Sequence, residues 1–343
     1  MMRAGRAVRR RAIGSRPVPV LETTVIPRPP YSLALSARLR SDTTRAFREG
    51  VLTMALEAGG PALARVYQRP DGSLAVHVEG SAPEAALELV RFVLAAEEDH
   101  RPFLDRFARD PLLAEPVRRL RGLRPLRTPT VAHALLKAVC GQLIEAKAAR
   151  HMEARLLRFA APRHEGFCLP TTRETFARFA PAELQRLGLV ARKATSLVRL
   201  SREWDVERLR GVDTETAGRR IERERGLGPW SAGMVCLYGL GRWERGLVGD
   251  LGLLKLCAAL RGRPTEPDDT RELLEPYGEW AGLASVYLLS GRVVLQDERP
   301  FRRKRPPATA ADAPRSARSG SGRPVNGSSS WTAGPASDAS TSR

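Results

Sequence analysis

"ERGLGPWSAG", residues 224 to 233, decides how this chain is read. A helical run ending in Glu222-Arg223-Glu224-Arg225 breaks at Gly226-Leu227-Gly228, then restarts at once through Pro229 and Trp230. Glycines let a chain turn sharply and bring backbone N–H groups to the surface with no Cβ in the way. Pro229 suits the first turn of the next helix, where its missing N–H is not needed. Ala232 and Gly233 keep that helix end slim. Helix, short glycine turn, helix is the shape of a helix–hairpin–helix, whose free N–H groups and positive dipole end form an anion site. A C-capping glycine before an ordinary helix start would use the same letters, so the hairpin alone does not settle the reading.

Charge says what the anion would be. The 343 residues carry a net charge of +19, and the pI is near 11, so a polyanion such as nucleic acid is the default partner. Residues 1–28 hold seven arginines against Glu22, and residues 301–343 hold eight basic residues against Asp312 and Asp338. Neither stretch can bury a core. Both read as basic, disordered tails that act as flexible polycations towards a polyanion. Cys140, Cys168, Cys236 and Cys257 form no C-x-x-C pair, which argues against a zinc site, an iron–sulfur cluster or a disulfide framework. The histidines His77, His100, His133, His151 and His164 show no metal-ligand spacing and read as surface or core residues. "GLGRWERG" at 239–246 follows a helix rather than a strand, so it is not a nucleotide loop. No run of 18 apolar residues exists to span a membrane.

Two styles of sequence lie between the tails. From 29 to 100, alternation in "PYSLAL" (30–35) and "SLAVHVEG" (73–80), turn signals in 50–72 and helical period in 82–100 predict an α+β unit, an antiparallel sheet with helices. From 101 to 300 helical patterns follow one another with no convincing strand, which predicts an all-α domain. One long pattern, 130–160, opens at the N-cap candidate Thr130 and keeps its apolar steps throughout.

About twenty residues after the hairpin, "LVGDLGLLKLCAAL" (247–260) places Asp250 just before another apolar helix. A lone Asp there is more often an N-cap than a catalyst. The hairpin, the gap and the aspartate together resemble the helix–hairpin–helix–GPD superfamily of DNA glycosylases, in particular the branch of bacterial 3-methyladenine DNA glycosylase II. The resemblance spans about residues 29 to 297. It runs through "PPYSLAL" (29–35), "CGQLIEAKAA" (140–149), "FCLPTTRETFARFAPAELQRLGL" (167–189) and the "GLGPWSA…GDLGL" pair.

The resemblance implies a mostly helical glycosylase domain behind the α+β unit, in a monofunctional base-excision repair enzyme. Such an enzyme flips out an alkylated or deaminated purine and hydrolyses its N-glycosidic bond, leaving an abasic site. It makes Asp250 the catalytic carboxylate and places Trp230, Met234, Tyr238, Leu251 and Leu289 around the base. Gln142, Leu143, Gly226, Leu227, Gly228 and Ser231 would meet the DNA, with Leu143 as the wedge filling the gap, although a helical Leu is ordinarily core. Lyase-capable relatives have a lysine where this chain has Trp230, before Ser231-Ala232. Two departures stand out. Glu145 replaces a small hydroxyl residue, and the pocket has few aromatics beyond Trp230 and Tyr238 or Tyr287. The resemblance implies no cofactor other than a monovalent cation held by hairpin backbone carbonyls. Its partner is double-stranded DNA with damaged bases, met by a monomer in a bacterial cytoplasm, at the nucleoid. The rival from another class is a non-catalytic helix–hairpin–helix DNA-binding protein.

Overall fold

The computed structural model describes residues 18–38 and 41–297, so the tails expected at 1–28 and 301–343 lie largely outside the described residues. The N-terminal unit is built on five antiparallel strands: β1 (Val20–Val25), β2 (Arg45–Arg48), β3 (Val51–Glu57), β4 (Pro61–Gln68) and β5 (Leu74–Gly80). Their order in the sheet is β1-β5-β4-β3-β2. Buried faces of these strands close over α2 (Pro83–Leu94), with Leu52, Met54, Leu56, Val66, Val76 and Val78 in the core beside Val90, Val93 and Leu94.

Two expectations for this unit are corrected. "PYSLAL" does not form a strand: Leu33–Ala37 is the short helix α1, because the Ser32 hydroxyl caps it by accepting from the Leu35 N–H at 3.2 Å. Conversely, β1 lies inside the stretch expected to be a tail. Its residues Val20 to Val25 pair with Glu79 to Leu74 of β5, and the ladder supplies what the low apolar content of the segment could not.

Helices α3 (Arg101–Arg106) and α4 (Ala114–Arg119) open the helical region. The sequence expected to run unbroken from Thr130 is two helices, α5 (Val131–Gly141) and α6 (Ala146–Ala160), split at Gln142–Glu145. Thr130 does cap α5, accepting from the His133 N–H at 3.1 Å. After α6 comes a two-stranded ribbon, β6 (Arg163–His164) with β7 (Phe167–Cys168), inside the region read as all-α. It is too short to leave a period-two signal. Helices α7 (Glu174–Ala177), α8 (Pro181–Arg186), α9 (Ala191–Glu203) and α10 (Thr214–Arg223) follow where the sequence predicts them. Then come α11 (Pro229–Met234), continued as a π-helix through Val235–Leu240, and α12 (Leu251–Arg261), α13 (Pro267–Leu274) and α14 (Ala281–Asp297). None of the described helices is long and apolar enough to cross a membrane.

The helical region has two cores rather than one. Helices α5 to α11 bury Leu136, Val139, Leu156, Leu157, Leu197, Ile221 and Val235 together. Helices α3 and α4 share a second core with α12 to α14, through Phe103, Leu104, Val117, Leu253, Leu283 and Tyr287. Trp230 and Met234 pack against both.

Buried charge joins the sheet to the helices. Lys137 Nζ of α5 lies 3.1 Å from Asp42 Oδ2, just before β2, and 2.7 Å from Glu153 Oε1 of α6. His133 Nε2 is 3.4 Å from the same Glu153 oxygen, and Arg45 Nε is 3.6 Å from Asp42 Oδ2. Burial, the largest influence on each, would raise both carboxyl pKa values, but Lys137 with Arg45, His133 and Thr44 at Asp42, and Lys137 with His133 at Glu153, together hold both below the ordinary carboxylate range. Asp42, His133 and Glu153 have metal-ligand chemistry and converge, but the ammonium of Lys137 already supplies the cation between the carboxylates. Carboxylates with depressed pKa values stabilise the fold above their unfolded pKa and lose that contribution as pH falls. Lys137→Met, which strands two buried carboxylates, should cost about 3–5 kcal/mol at pH 7 by denaturant unfolding. The deficit should narrow towards pH 4–5, where the stranded carboxyls take up protons; a deficit independent of pH would mean that Lys137 does not hold the two carboxyls ionised.

Candidate active site

The hairpin sits between α10 and α11, and its conformation explains its glycines. Gly226 has φ +91°, a left-handed value that L side chains rarely adopt, and a Cβ there would meet Ser196 Oγ at 2.9 Å. Gly228 is the N-cap of α11, with open space where a Cβ would lie. Both glycines are at the surface, and neither N–H donates to another described residue. Leu227 between them departs from expectation: its side chain is buried in the α5–α11 core and its N–H donates to Glu224 O at 2.9 Å. It anchors the hairpin rather than facing a ligand.

Asp250 is the N-cap of α12, as its position predicts. Oδ1 accepts from the N–H of Gly252 at 2.8 Å and of Leu253 at 3.4 Å. The other oxygen, Oδ2, accepts from Trp230 Nε1 at 3.0 Å. The hairpin and the aspartate, twenty residues apart, therefore touch. Cap and anchored carboxylate are one role here: the half-buried side chain is fixed by three donors at the positive end of a helix. Trp230 reaches Asp250 from the first turn of α11. Its ring also lies over the end of α5, where Gly141 leaves room for it; a Cβ on Gly141 would sit 2.6 Å from Trp230 Cη2.

Met234, Tyr238, Leu251 and Leu289 are all half-buried. Leu289 Cδ2 approaches Gly252, in the first turn of α12, closely enough that a Cβ there would meet it at 2.4 Å. Tyr287 is core instead, its hydroxyl donating to Leu120 O and Leu123 O. Of the aromatic residues expected around the base, Trp230 bonds Asp250, whereas the Tyr238 backbone lies at the other end of α5, its carbonyl accepting from Thr128.

Leu143 is 80 % exposed and has φ +55°. An apolar side chain held out in solvent on a left-handed backbone is strained by about 1–2 kcal/mol and contradicts the core reading. The neighbouring Gln142 turns inward: its Nε2 donates to Gly226 O at 2.6 Å and Ser231 Oγ at 3.1 Å. Gln142 therefore ties the Leu143 loop to the hairpin. Ser231, expected at the DNA face, is buried beneath Gln142.

Lys193, at the start of α9, was not singled out from the sequence. Its Nζ donates to Gln142 O at 2.8 Å and Cys140 O at 3.4 Å, closing the last carbonyls of α5 next to Leu143. Burial, with Arg192 nearby, lowers its pKa from the ordinary value. A lysine in an amphipathic helix gives no sequence signal for this; only the packing of α9 on α5 does. Glu145 forms an exposed pair with Lys255 of α12 at 3.7 Å, bridging the Leu143 loop to the helix that Asp250 caps.

No family model matches the chain. It is 26% identical to a DNA-3-methyladenine glycosylase of Bacillus subtilis (strain 168), over 59% of this chain and 71% of the relative. A 3-methyladenine DNA-glycosylase structure from Archaeoglobus fulgidus superposes with a TM-score of 0.68 at 21% identity, covering 78% of this chain and 97% of that one. An 8-oxoguanine glycosylase/lyase of Clostridium acetobutylicum, solved with double-stranded DNA, superposes with a TM-score of 0.64 at 16% identity, over 78% and 93% of the two chains. The chain has the fold of the helix–hairpin–helix DNA glycosylases, the likeness that its hairpin and Asp250 implied.

Proposed function

We infer that this chain is a DNA glycosylase of base-excision repair, which flips a damaged base from the duplex and hydrolyses its N-glycosidic bond. The observation that carries the reading is the Asp250 carboxylate, held by Trp230 of the hairpin and by the first turn of α12. Phosphate contacts at Gly226 and Gly228 would seat the backbone beside the lesion, and Leu143 would fill the stack vacated by the flipped nucleotide.

In the reaction the bond from C1′ to the base nitrogen breaks, and its electron pair leaves with the base. Positive charge grows on the deoxyribose, and the ionised Asp250 stabilises it. Water then adds at C1′, giving its proton to Asp250 and leaving an abasic site. The proposed site residues supply one carboxylate and no histidine, so nothing there is suited to protonate a neutral leaving base. An alkylated purine, already cationic, departs as a neutral base without that help. Trp230 offers a π face for it. Double-stranded DNA and a single copy of the chain suffice in this reading, which belongs at a bacterial nucleoid. No cofactor is needed. The carbonyls of Gly226 and Gly228 each accept one hydrogen bond and keep a second lone pair, enough to help seat a monovalent cation against a phosphate.

Asp250→Asn should lower single-turnover base release on methylated duplex at least 100-fold, about 3 kcal/mol of transition-state stabilisation, with DNA affinity within a few-fold of wild type. Wild-type excision by the Asn variant would overturn the catalytic assignment. With Trp230 in place of an amine, borohydride should trap no covalent adduct on lesion DNA; a robust adduct would show lyase chemistry instead. Leu143→Ala should slow excision from paired duplex far more than from a mispaired or single-stranded target, because only stacked DNA resists flipping strongly. Lys193→Met should reproduce that selective loss and Lys193→Arg should relieve it. Equal losses on both targets would leave the two residues a purely structural part.

A further inference from the structure

A second basic feature lies away from Asp250. A cleft of about 650 Å3 opens between the β2–β3 edge of the sheet, the β6–β7 ribbon and α6. Arg48, Arg150, Arg158 and Arg163 line it, all exposed, and none of their side chains has an ion pair or hydrogen bond among the described residues. Asp42 and Glu153 also line the cleft, but Lys137 and Arg45 already neutralise them, so Glu165 is the one lining carboxylate without a cation. Four free guanidinium groups against one free carboxylate make this a site for an extended anion.

Helix α6 says which anion. It begins three residues after the exposed Leu143, and at 100° per residue Lys147, Arg150, His151 and Arg158 share one face. All four are exposed. At a rise of 1.5 Å per residue the stripe from Lys147 to Arg158 covers about 16 Å, which along the duplex axis passes about five phosphates of one strand. It leads from the wedge into the cleft.

We propose that this α6 stripe and cleft hold the DNA phosphate backbone on one side of the lesion, extending the footprint beyond the hairpin and wedge. The proposal rests on the glycosylase reading for its ligand, but its test does not depend on catalysis. Arg150→Gln, Arg158→Gln and Arg163→Gln are combined; these side chains are exposed, and an unchanged Tm would verify the fold. Binding is measured across a salt series to a duplex of about ten base pairs centred on an abasic-site analogue, and to duplexes lengthened by about ten base pairs on one side or the other. For the wild type, lengthening on one side should tighten binding at least fivefold. The variant should lose that gain, and its slope of log K against log salt on the long duplex should flatten by about two to three units. Single-turnover excision from the short duplex, at saturating enzyme, should be the same for both proteins. A variant that keeps the length gain and the salt slope would overturn the proposal. So would inorganic pyrophosphate filling the cleft, seen as arginine-dependent binding, while the length gain persists, since the cleft would then be a small-anion site. A wild type that excises nothing would count against the glycosylase reading while the binding measurements still decide the cleft.

Discussion

The ring of Trp230 is where the halves of this molecule meet. It packs against both helical cores, lies over the end of α5 at Gly141 and donates to Asp250 Oδ2. Because the hairpin fixes where Trp230 leaves the backbone, it also fixes the carboxylate. A loop carboxylate in water has many rotamers, whereas one bonded to an indole N–H and a helix N-terminus has essentially one. Preorganisation of this kind is what makes a charge effective towards a cation forming beside it, since nothing must reorganise during the reaction.

The same logic holds for the Leu143 loop. Leu143 is exposed and left-handed, a conformation that the isolated segment would not hold. It persists because the surroundings over-determine it. Gln142 is bonded to Gly226 and Ser231 on one side, and Lys193 closes the α5 carbonyls on the other. The strain of one leucine is thereby offset by hydrogen bonds that its neighbours make, and the apolar side chain is kept out of the core that would otherwise bury it. Hairpin, Leu143 loop and Asp250 carboxylate are one connected assembly.

Burial of charge is the other recurrent device. Arg124 is fully buried between the two parts of the fold, donating to the carbonyls of Leu123, Arg28 and Glu98. Arg127 pairs with Glu98 at 2.8 Å and faces the rings of Phe92 and Trp243. With the Lys137 network, these groups hold the sheet unit against the helices by contacts that lose much when one partner is removed. The Lys137–Glu153 pair also ties α5 to α6, the helices on either side of Leu143.

What the sequence determined by itself is local. Gly226, Gly228 and Pro229 require a tight turn and a helix start whatever surrounds them, because backbone sterics act within a few residues. Asp250 before an apolar run is a cap for the same reason, and the capped helices α5 and α10 follow from Thr130 and Asp213. Where only the neighbours decide, the letters were silent or misleading. The apolar steps of 130–160 run on through the break at Leu143, since periodicity records which side chains are apolar and not which are buried. "VLETTV" becomes a strand only because β5 offers it a ladder, and "PYSLAL" becomes a helix because Ser32 caps it. Leu227 and Ser231 are buried, and Lys193 is drawn to the Leu143 loop, because of packing between helices far apart in the chain. The chemistry-bearing types could be read from the sequence; that Trp230 touches Asp250, and that Leu143 points outward, was decided by long-range contacts that no local pattern encodes.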